Sequence, residues 1–232
     1  MRAFVLMKQD ETDEFAAGTA FFPSRVAPVA DGFDDGRLAA LIERMAARGI
    51  EPMAWMPVLH DARAATAHPE WRSRRVTATG SLAVDDGWLC PFDPRVARYQ
   101  AAIASEIAVR FPDLGGLYLD FIRYDDDLSC VGPRSLAELE KRSGWRSRIG
   151  RPLRPLDLRR ASETQSRLWT EWTALRAEKI VATVNTIRDA VEEVRPNFRI
   201  GAFVLPFSTR AYEQDTQAGQ DLRRMARAGL DE

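Results

Sequence analysis

Apolar residues along the chain are arranged in two alternating patterns. In four short segments nearly every residue is apolar, which is typical of strands that are buried on both faces of a parallel sheet. These segments are Ala3 to Met7, Glu51 to Val58, Gly115 to Ile122 and Arg199 to Pro206. In the longer segments between them, apolar residues recur every three or four positions, and this spacing predicts amphipathic helices. The pattern therefore predicts that strands and helices alternate along the chain.

Capping residues mark the ends of the predicted helices. Asp93 is a favoured N-cap residue and Pro94 a favoured first helical residue, whereas Gly49 is suited to end a helix. The first helix is expected to bury Leu38, Leu41, Ile42 and Met45. The predicted helices run from Asp34 or Asp35 to Gly49, from Pro94 to beyond Ile107, from about Gln165 to Val194, and from about Gln217 to Ala228.

This order predicts an α/β fold with parallel strands and right-handed crossover helices. A (β/α) barrel of the TIM type and a doubly wound sheet both satisfy it. No strand is followed by G-x-G-x-x-G, and no phosphate-binding loop occurs, which argues against nucleotide binding. The segments after the strands are long and hold most of the histidines, cysteines and clustered acids, as in barrels whose ligand site lies at the carboxyl ends of the strands.

The charge balance and the length of the apolar runs argue against binding to nucleic acid and insertion into a membrane. The 232 residues include 33 Lys and Arg and 34 Asp and Glu, a formal net charge of −1, so no basic field attracts nucleic acid. The longest apolar runs are far shorter than the roughly 20 residues of a membrane span. Met1-Arg2 is not followed by an apolar secretory region, so the chain as written is expected to be cytoplasmic and not inserted into a membrane.

Cysteine and histidine are scarce. Cys90 and Cys130, with His60 and His68, do not have zinc-binding spacing, so we expect no metal and no cofactor. In a reducing compartment the two cysteines are expected to stay free thiols. The acidic run from Asp125 to Asp127 fits no calcium loop and is interpreted as a solvated turn.

Asp120 is the most informative acidic residue. It ends an otherwise apolar strand, where a buried carboxylate costs several kcal/mol unless it is paired or used. One interpretation is structural: Asp120 forms an ion pair with Arg123 or caps the following turn. The other is functional: the carboxylate projects from the strand end into a site.

Two segments carry a family resemblance. Trp88-Leu89-Cys90-Pro91-Phe92-Asp93-Pro94-Arg95-Val96 and Gly116-Leu117-Tyr118-Leu119-Asp120-Phe121-Ile122-Arg123-Tyr124 resemble motifs of the glycoside-hydrolase-like family of bacterial TIM-barrel proteins (family 10 glycosylhydrolase-like). In that family the first motif leads a helix and the second ends a barrel strand. The resemblance implies a barrel that acts on carbohydrate, with Asp120 as catalytic acid or nucleophile and with Arg123 and Tyr124 beside it. It also implies a family whose members are often exported.

The implied function is hydrolysis of a bacterial polysaccharide or cell-surface glycan; the alternative is a non-catalytic carbohydrate-binding barrel or pseudoenzyme. The expected substrate-binding residues are Arg123, Tyr124, Trp55, His60 and Trp88. Glycoside hydrolysis generally needs a second carboxyl group. The candidates are Asp10, Asp13, Glu14, Asp61, Glu70, Glu213 and Asp215, and each of them has a solvated loop acid as its alternative.

The number of repeated units is half that of a complete barrel. A (β/α)₈ barrel takes about 250 residues at least, and only four strand-helix units are recognisable here. We therefore expect residues 1–232 to form one (β/α) barrel domain that is truncated after the fourth unit. A half-barrel has open sheet edges and an uncovered inner face, which predicts self-association and little activity of the isolated chain.

Overall fold

The computed structural model describes residues 1–9, 18–33, 36–205 and 218–231. The strands are β1 (Arg2–Leu6), β2 (Glu51–Pro57), β3 (Arg72–Val76), β4 (Leu82–Leu89), β5 (Gly116–Asp120) and β6 (Arg199–Ala202). The helices are α1 (Arg37–Ala46), α2 (Ala62–Ala67), α3 (Pro94–Arg110), α4 (Pro133–Ser143), α5 (Trp145–Ile149), α6 (Pro155–Thr164), α7 (Arg167–Val194) and α8 (Leu222–Arg227). Among the residues in these ranges, no helix is both long and apolar enough to cross a bilayer.

Four strands form one parallel sheet in the order β1-β2-β5-β6. They are the four apolar segments read from the sequence, in sequence order, so the predicted barrel-type α/β fold is confirmed. Alternate residues of each strand, such as Ala54, Met56 and Leu117, face the helices and are fully buried. They belong to one hydrophobic core with Ile103 of α3 and Ile180 of α7. The helices thus cover one face of the sheet.

The other face corresponds to the inside of a barrel. Phe4, Trp55 and Tyr118 project from it, and Phe203 contacts all three rings. Phe4 remains 44% exposed in this arrangement. The described strands therefore form part of a barrel wall whose inner surface is aromatic. Self-association through the outer strands β1 and β6 stays a prediction.

Helix boundaries agree with the sequence where capping residues are strong. The Asp93 carboxylate accepts a hydrogen bond of 3.0 Å from the Arg95 N–H at the start of α3. In α1, Ile42 is buried, but Leu41 is 42% exposed, so the expected four-residue apolar face is wrong at that position. The starting residues Asp34 and Asp35 lie outside the described residues, as do positions 206–217.

The sequence pattern missed an antiparallel hairpin of β3 and β4 within the long segment after β2. Four of the five residues of β3 are polar, and in β4 the polar residues Asp85 and Asp86 interrupt the apolar positions. A search for continuous apolar runs does not detect such a strand. Helices α4, α5 and α6 were missed too, and they fill the stretch between the loop after β5 and α7.

Cys90 and Cys130 form a disulfide, with Cα atoms 5.4 Å apart. This corrects the expectation of two free thiols, which rested on the cell compartment and not on geometry. Cys130 lies in the loop after β5, whereas Cys90 directly follows β4. The Val131 N–H donates to the Arg74 carbonyl at 2.8 Å and the Cys130 N–H to the Ser73 hydroxyl at 3.0 Å. These bonds hold the loop against the hairpin, so the two sulfurs meet.

The disulfide predicts that thiol titration of the denatured, unreduced protein finds no free thiol. The cross-linked residues are 40 positions apart in sequence. Reduction should lower the free energy of unfolding by about 2 to 4 kcal/mol, because the cross-link restricts the unfolded chain. A variant with both cysteines changed to serine should match the reduced protein in chemical denaturation. Two titratable thiols in the unreduced protein would contradict this pairing.

Candidate active site

Asp120 lies at the carboxyl end of β5, as the sequence predicted. The parallel register places Trp55 of β2 opposite Tyr118, two residues before Asp120. Side chains of Trp55, Tyr118 and Asp120 therefore project from the same face of the sheet. The indole N–H of Trp55 donates a hydrogen bond of 2.8 Å to Oδ2 of Asp120. The structure shows that Trp55 holds the carboxylate. The expectation that Trp55 offers a flat face to a sugar stays a prediction.

The backbone after Asp120 holds the other carboxylate oxygen. Oδ1 accepts a hydrogen bond of 2.7 Å from the N–H of Phe121. Asp120 therefore caps the turn that follows it, as one interpretation of the sequence expected. Phe121 has a φ of 48°, in the left-handed region that bulky residues rarely adopt. The Val58 and Leu59 N–H groups donate to the carbonyls of Asp120 and Phe121, at 2.8 and 3.1 Å, and fix this turn. The backbone therefore holds Oδ1 of Asp120, while the Trp55 indole holds Oδ2.

Arg123 does not pair with Asp120. Its guanidinium carbon lies 5.1 Å from the ring centroids of both Trp88 and Phe121. One guanidinium N–H donates to the Tyr124 carbonyl at 3.2 Å. The ion-pair interpretation of Asp120 is therefore wrong, and the carboxylate is not neutralised by the neighbouring arginine.

Three of the predicted binding residues gather around Phe121. The ring of His60 is 5.1 Å from that of Trp88 and 5.7 Å from that of Phe121, measured between centroids. His60 is half-buried, whereas Trp88 is buried beneath Arg123. Trp88 therefore supports Arg123 and His60 and does not present an open ring, contrary to the sequence-based expectation. Phe121, which sequence analysis did not single out, links this cluster to Asp120.

Tyr124 lies in the core. Its hydroxyl donates to the Arg176 carbonyl at 3.2 Å, and its ring packs 4.1 Å below the Arg176 guanidinium carbon. Burial raises the pKa of the Tyr124 hydroxyl above its usual range. The buried ring and the hydrogen-bonded hydroxyl correct the expectation that Tyr124 binds substrate. An aromatic residue after a strand can face the core or the rim of a barrel, and the local sequence does not reveal which.

Arg176 of α7 is a buried residue that sequence analysis missed. Its guanidinium donates to the backbone carbonyls of Asp126 and Asp127. Burial lowers the pKa of Arg176 to about 10. The run from Asp125 to Asp127 is therefore not simply a solvated turn, since its backbone is fastened to α7. This contact helps to hold the loop that follows Asp120.

The second carboxylate is not found among the described candidates. Asp61 is fully buried and bound to Lys8 at 2.9 Å. Glu70 pairs with Arg95 at 3.2 Å and lines a cavity that Asp120 does not line. The candidates Asp10, Asp13, Glu14, Glu213 and Asp215 lie outside the described residues. Three of them follow β1 and two follow β6, the strands on either side of the β2–β5 pair.

No group of three or more His, Cys, Asp or Glu side chains suited to a metal occurs in the described part of the chain. The site there consists of one carboxylate with two N–H donors, an aromatic wall and a nearby guanidinium. Both oxygens of Asp120 accept hydrogen bonds, as suits a carboxylate that attacks a carbon or accepts a proton. A half-buried arginine and aromatic faces are groups that can hold sugar hydroxyls and rings.

Comparison with known proteins agrees with this architecture. A family model described as glycosyl hydrolase-like 10 matches residues 15–231. The glycoside hydrolase domain of PgaB (BpsB) from Bordetella bronchiseptica is similar in structure, with a TM-score of 0.70 and 19% identity over 98% of this chain. An α-L-fucosidase isoenzyme 2 from Paenibacillus thiaminolyticus has a TM-score of 0.63 and 16% identity over 93% of this chain. No curated protein is similar enough in sequence to count as a relative.

The chain spans only part of these solved structures. It covers 62% of the PgaB chain and 29% of the fucosidase chain. The catalytic domain of a β-amylase from Paenibacillus polymyxa, at 10% identity and a TM-score of 0.62, is covered over 64% of its length and 88% of this chain. At these identities the likeness establishes the fold, a partial TIM-type barrel.

Proposed function

We propose that this chain, which belongs to the glycosyl hydrolase-like 10 family, hydrolyses glycosidic bonds of a bacterial polysaccharide or cell-surface glycan when its barrel is complete. The observation that supports this most is the position of Asp120. Its carboxylate lies at the carboxyl end of a barrel strand, free of Arg123 and oriented by Trp55 and the Phe121 N–H. Barrel enzymes place reacting groups at this end of the strands.

The hydrogen bonds favour one of the two roles open to Asp120. A general acid must carry a proton, whereas both oxygens of Asp120 accept hydrogen bonds from N–H groups. We therefore assign Asp120 as the nucleophile or the base that activates water, and we assign proton donation to a second carboxyl group. Asp10, Asp13, Glu14, Glu213 and Asp215 are the candidates, because they follow strands on either side of β2 and β5.

The test is release of reducing ends from bacterial exopolysaccharides by a protein that contains this chain within a complete barrel. Hydrolysis of one polysaccharide, with product accumulating in proportion to enzyme, supports the proposal. Tight glycan binding in calorimetry with no release of reducing ends from that same glycan would instead show a non-catalytic carbohydrate-binding barrel, the alternative function.

Trp55→Phe separates the two roles of Trp55. The substitution keeps a flat ring but removes the N–H that holds Oδ2 of Asp120. If Trp55 positions the carboxylate, kcat should fall about 10- to 100-fold with KM little changed, since the lost bond costs about 1.5 to 3 kcal/mol.

Trp55→Ala is the companion variant, because it removes the ring as well as the N–H. A platform role alone predicts that Trp55→Phe behaves like the parent protein while Trp55→Ala raises KM. Thermal stability measured on both variants distinguishes a loss of activity from a loss of fold. An unchanged kcat in Trp55→Phe would refute the positioning role.

A further inference from the structure

A cavity that Asp120 does not line lies beside the β3–β4 hairpin. It has a volume of about 260 Å³ and is bounded by the disulfide, by β3 and by the start of α4. Four of its lining residues are arginines, and two are acids. The arginines are Arg72, Arg74, Arg95 and Arg134, and the acids are Glu70 and Asp93. None of these residues contributes to the Asp120 site.

The acids do not neutralise the four arginines. Asp93 is shared, since its Oδ2 lies 2.7 Å from a guanidinium nitrogen of both Arg95 and Arg134. These two cations, together with the Arg95 N–H, hold the pKa of Asp93 well below its usual range. Glu70 also pairs with Arg95, at 3.2 Å. The two carboxylates therefore form ion pairs with Arg95 and Arg134.

Arg72 and Arg74 have no such partner. Within the described ranges, neither side chain has a carboxylate oxygen within ion-pair distance. Arg72 donates through Nε to the Ala65 carbonyl at 2.6 Å, and its side chain lines the cavity. Arg74 is exposed. The cavity thus has a net positive charge of about two units, on the guanidinium forks that suit oxyanions.

The backbone arrangement concentrates this charge. Arg72 and Arg74 both line the cavity. Ser73 between them is buried and donates to buried Asp85 at 2.7 Å. The Val131 N–H donates to the Arg74 carbonyl and brings the first residues of α4 next to β3. The amino-terminal end of a helix adds to the attraction for a negative group.

We propose that this cavity binds an oxyanion, a carboxylate, phosphate or sulfate group, with Arg72, Arg74 and Arg134 as its ligands. The group is either a free inorganic ion or an acidic substituent of a glycan. The inference is independent of catalysis by Asp120, because it rests on a separate cavity and its test measures binding only.

The test is isothermal titration calorimetry at constant ionic strength with two probes, inorganic phosphate and trigalacturonate. We expect Arg74→Gln to weaken binding about tenfold and Arg74→Glu to abolish it, since a charged hydrogen bond is lost and then a repulsive charge is added. Arg74 is exposed, so both variants should fold, and unchanged melting temperatures verify this. Binding of phosphate alone identifies a free ion as the ligand, whereas preference for trigalacturonate identifies an acidic glycan.

Arg160→Glu on α6 is the matched control, because Arg160 is also exposed but does not line the cavity. It should bind both probes as the parent protein does, and neutral maltotriose should not bind at this site. The proposal is overturned if neither probe binds, or if Arg74→Glu and Arg160→Glu weaken binding equally. Equal weakening would show attraction by overall charge and not a defined cavity.

Discussion

Asp120→Asn should abolish turnover by the complete barrel while leaving the fold and most glycan binding intact. Asparagine has the size of aspartate and keeps one oxygen that can accept from Trp55 or Phe121. It can neither attack an anomeric carbon nor take a proton from water. A group that acts only in the transition state lowers kcat with little effect on KM, here by about 10³-fold or more.

The variant should also remain folded, with only a modest loss of stability. One of the two N–H donors now faces an amide N–H₂ group, which costs about 1 to 3 kcal/mol if the site cannot relax. Because Arg123 is bound to aromatic rings and not to Asp120, no buried guanidinium is left uncompensated. Thermal melting and hydrolysis should be measured on one preparation.

Asp125→Asn is the matched control, because Asp125 is an exposed acid of the following turn. It should keep both activity and stability. An Asp120→Asn protein that melts early but retains its specific activity while folded would count against the catalytic role. Equal losses of activity in both variants would show a general effect of charge near the site.

The sheet and Asp120 could be predicted because their signals are local. A buried parallel strand is apolar at consecutive positions, and an acid at the end of β5 stands out against Leu117 and Leu119. Asp93 marked the start of α3 for the same reason, since an N-cap acts on residues directly after it. These features depend on neighbours within a few positions along the chain.

The contacts of Asp120 could not be predicted, because they depend on register and on backbone conformation. Trp55 reaches Asp120 only through the alignment of β2 with β5, across 65 positions of sequence. A phenylalanine gives no sign that its φ will be positive, as Phe121 has. The Cys90–Cys130 disulfide likewise depends on the β3–β4 hairpin, which a search for continuous apolar runs does not detect. Candidate residues were found from sequence, but their orientations were not.

Lys8 and Asp61, which follow β1 and β2, form a buried ion pair. Breaking this pair should lower the free energy of unfolding more than the other substitutions proposed above. Both side chains are 0% exposed, with Nζ 2.9 Å from Oδ2. Lys8 also donates to Gln100 at 2.9 Å, and Asp61 accepts the Ala64 N–H at 2.8 Å. Lys8→Met leaves the Asp61 carboxylate buried without its cation, which costs about 3 to 5 kcal/mol.

The double variant Lys8→Met, Asp61→Leu provides the decisive comparison in urea denaturation. If the uncompensated Asp61 charge causes the loss of stability in Lys8→Met, removing Asp61 as well should restore much of the free energy of unfolding. The recovery should be smaller by about 1 kcal/mol, because Asp61 is also the N-cap of α2. If Lys8 contributes only packing, the second change should add to the first. Equal stabilities of Lys8→Met and the parent protein would refute the role of the pair.

The pH dependence follows from burial of Lys8, which lowers its pKa from the ordinary value of 10.5 despite the attraction of Asp61. Between the lowered pKa and 10.5 the unfolded chain binds more protons than the folded one, so the Lys8 contribution to the free energy of unfolding rises with pH. Since methionine does not titrate, the stability difference between the parent protein and Lys8→Met should widen across that interval. A difference that narrows as pH rises would mean that Asp61 holds the Lys8 proton more strongly than burial removes it.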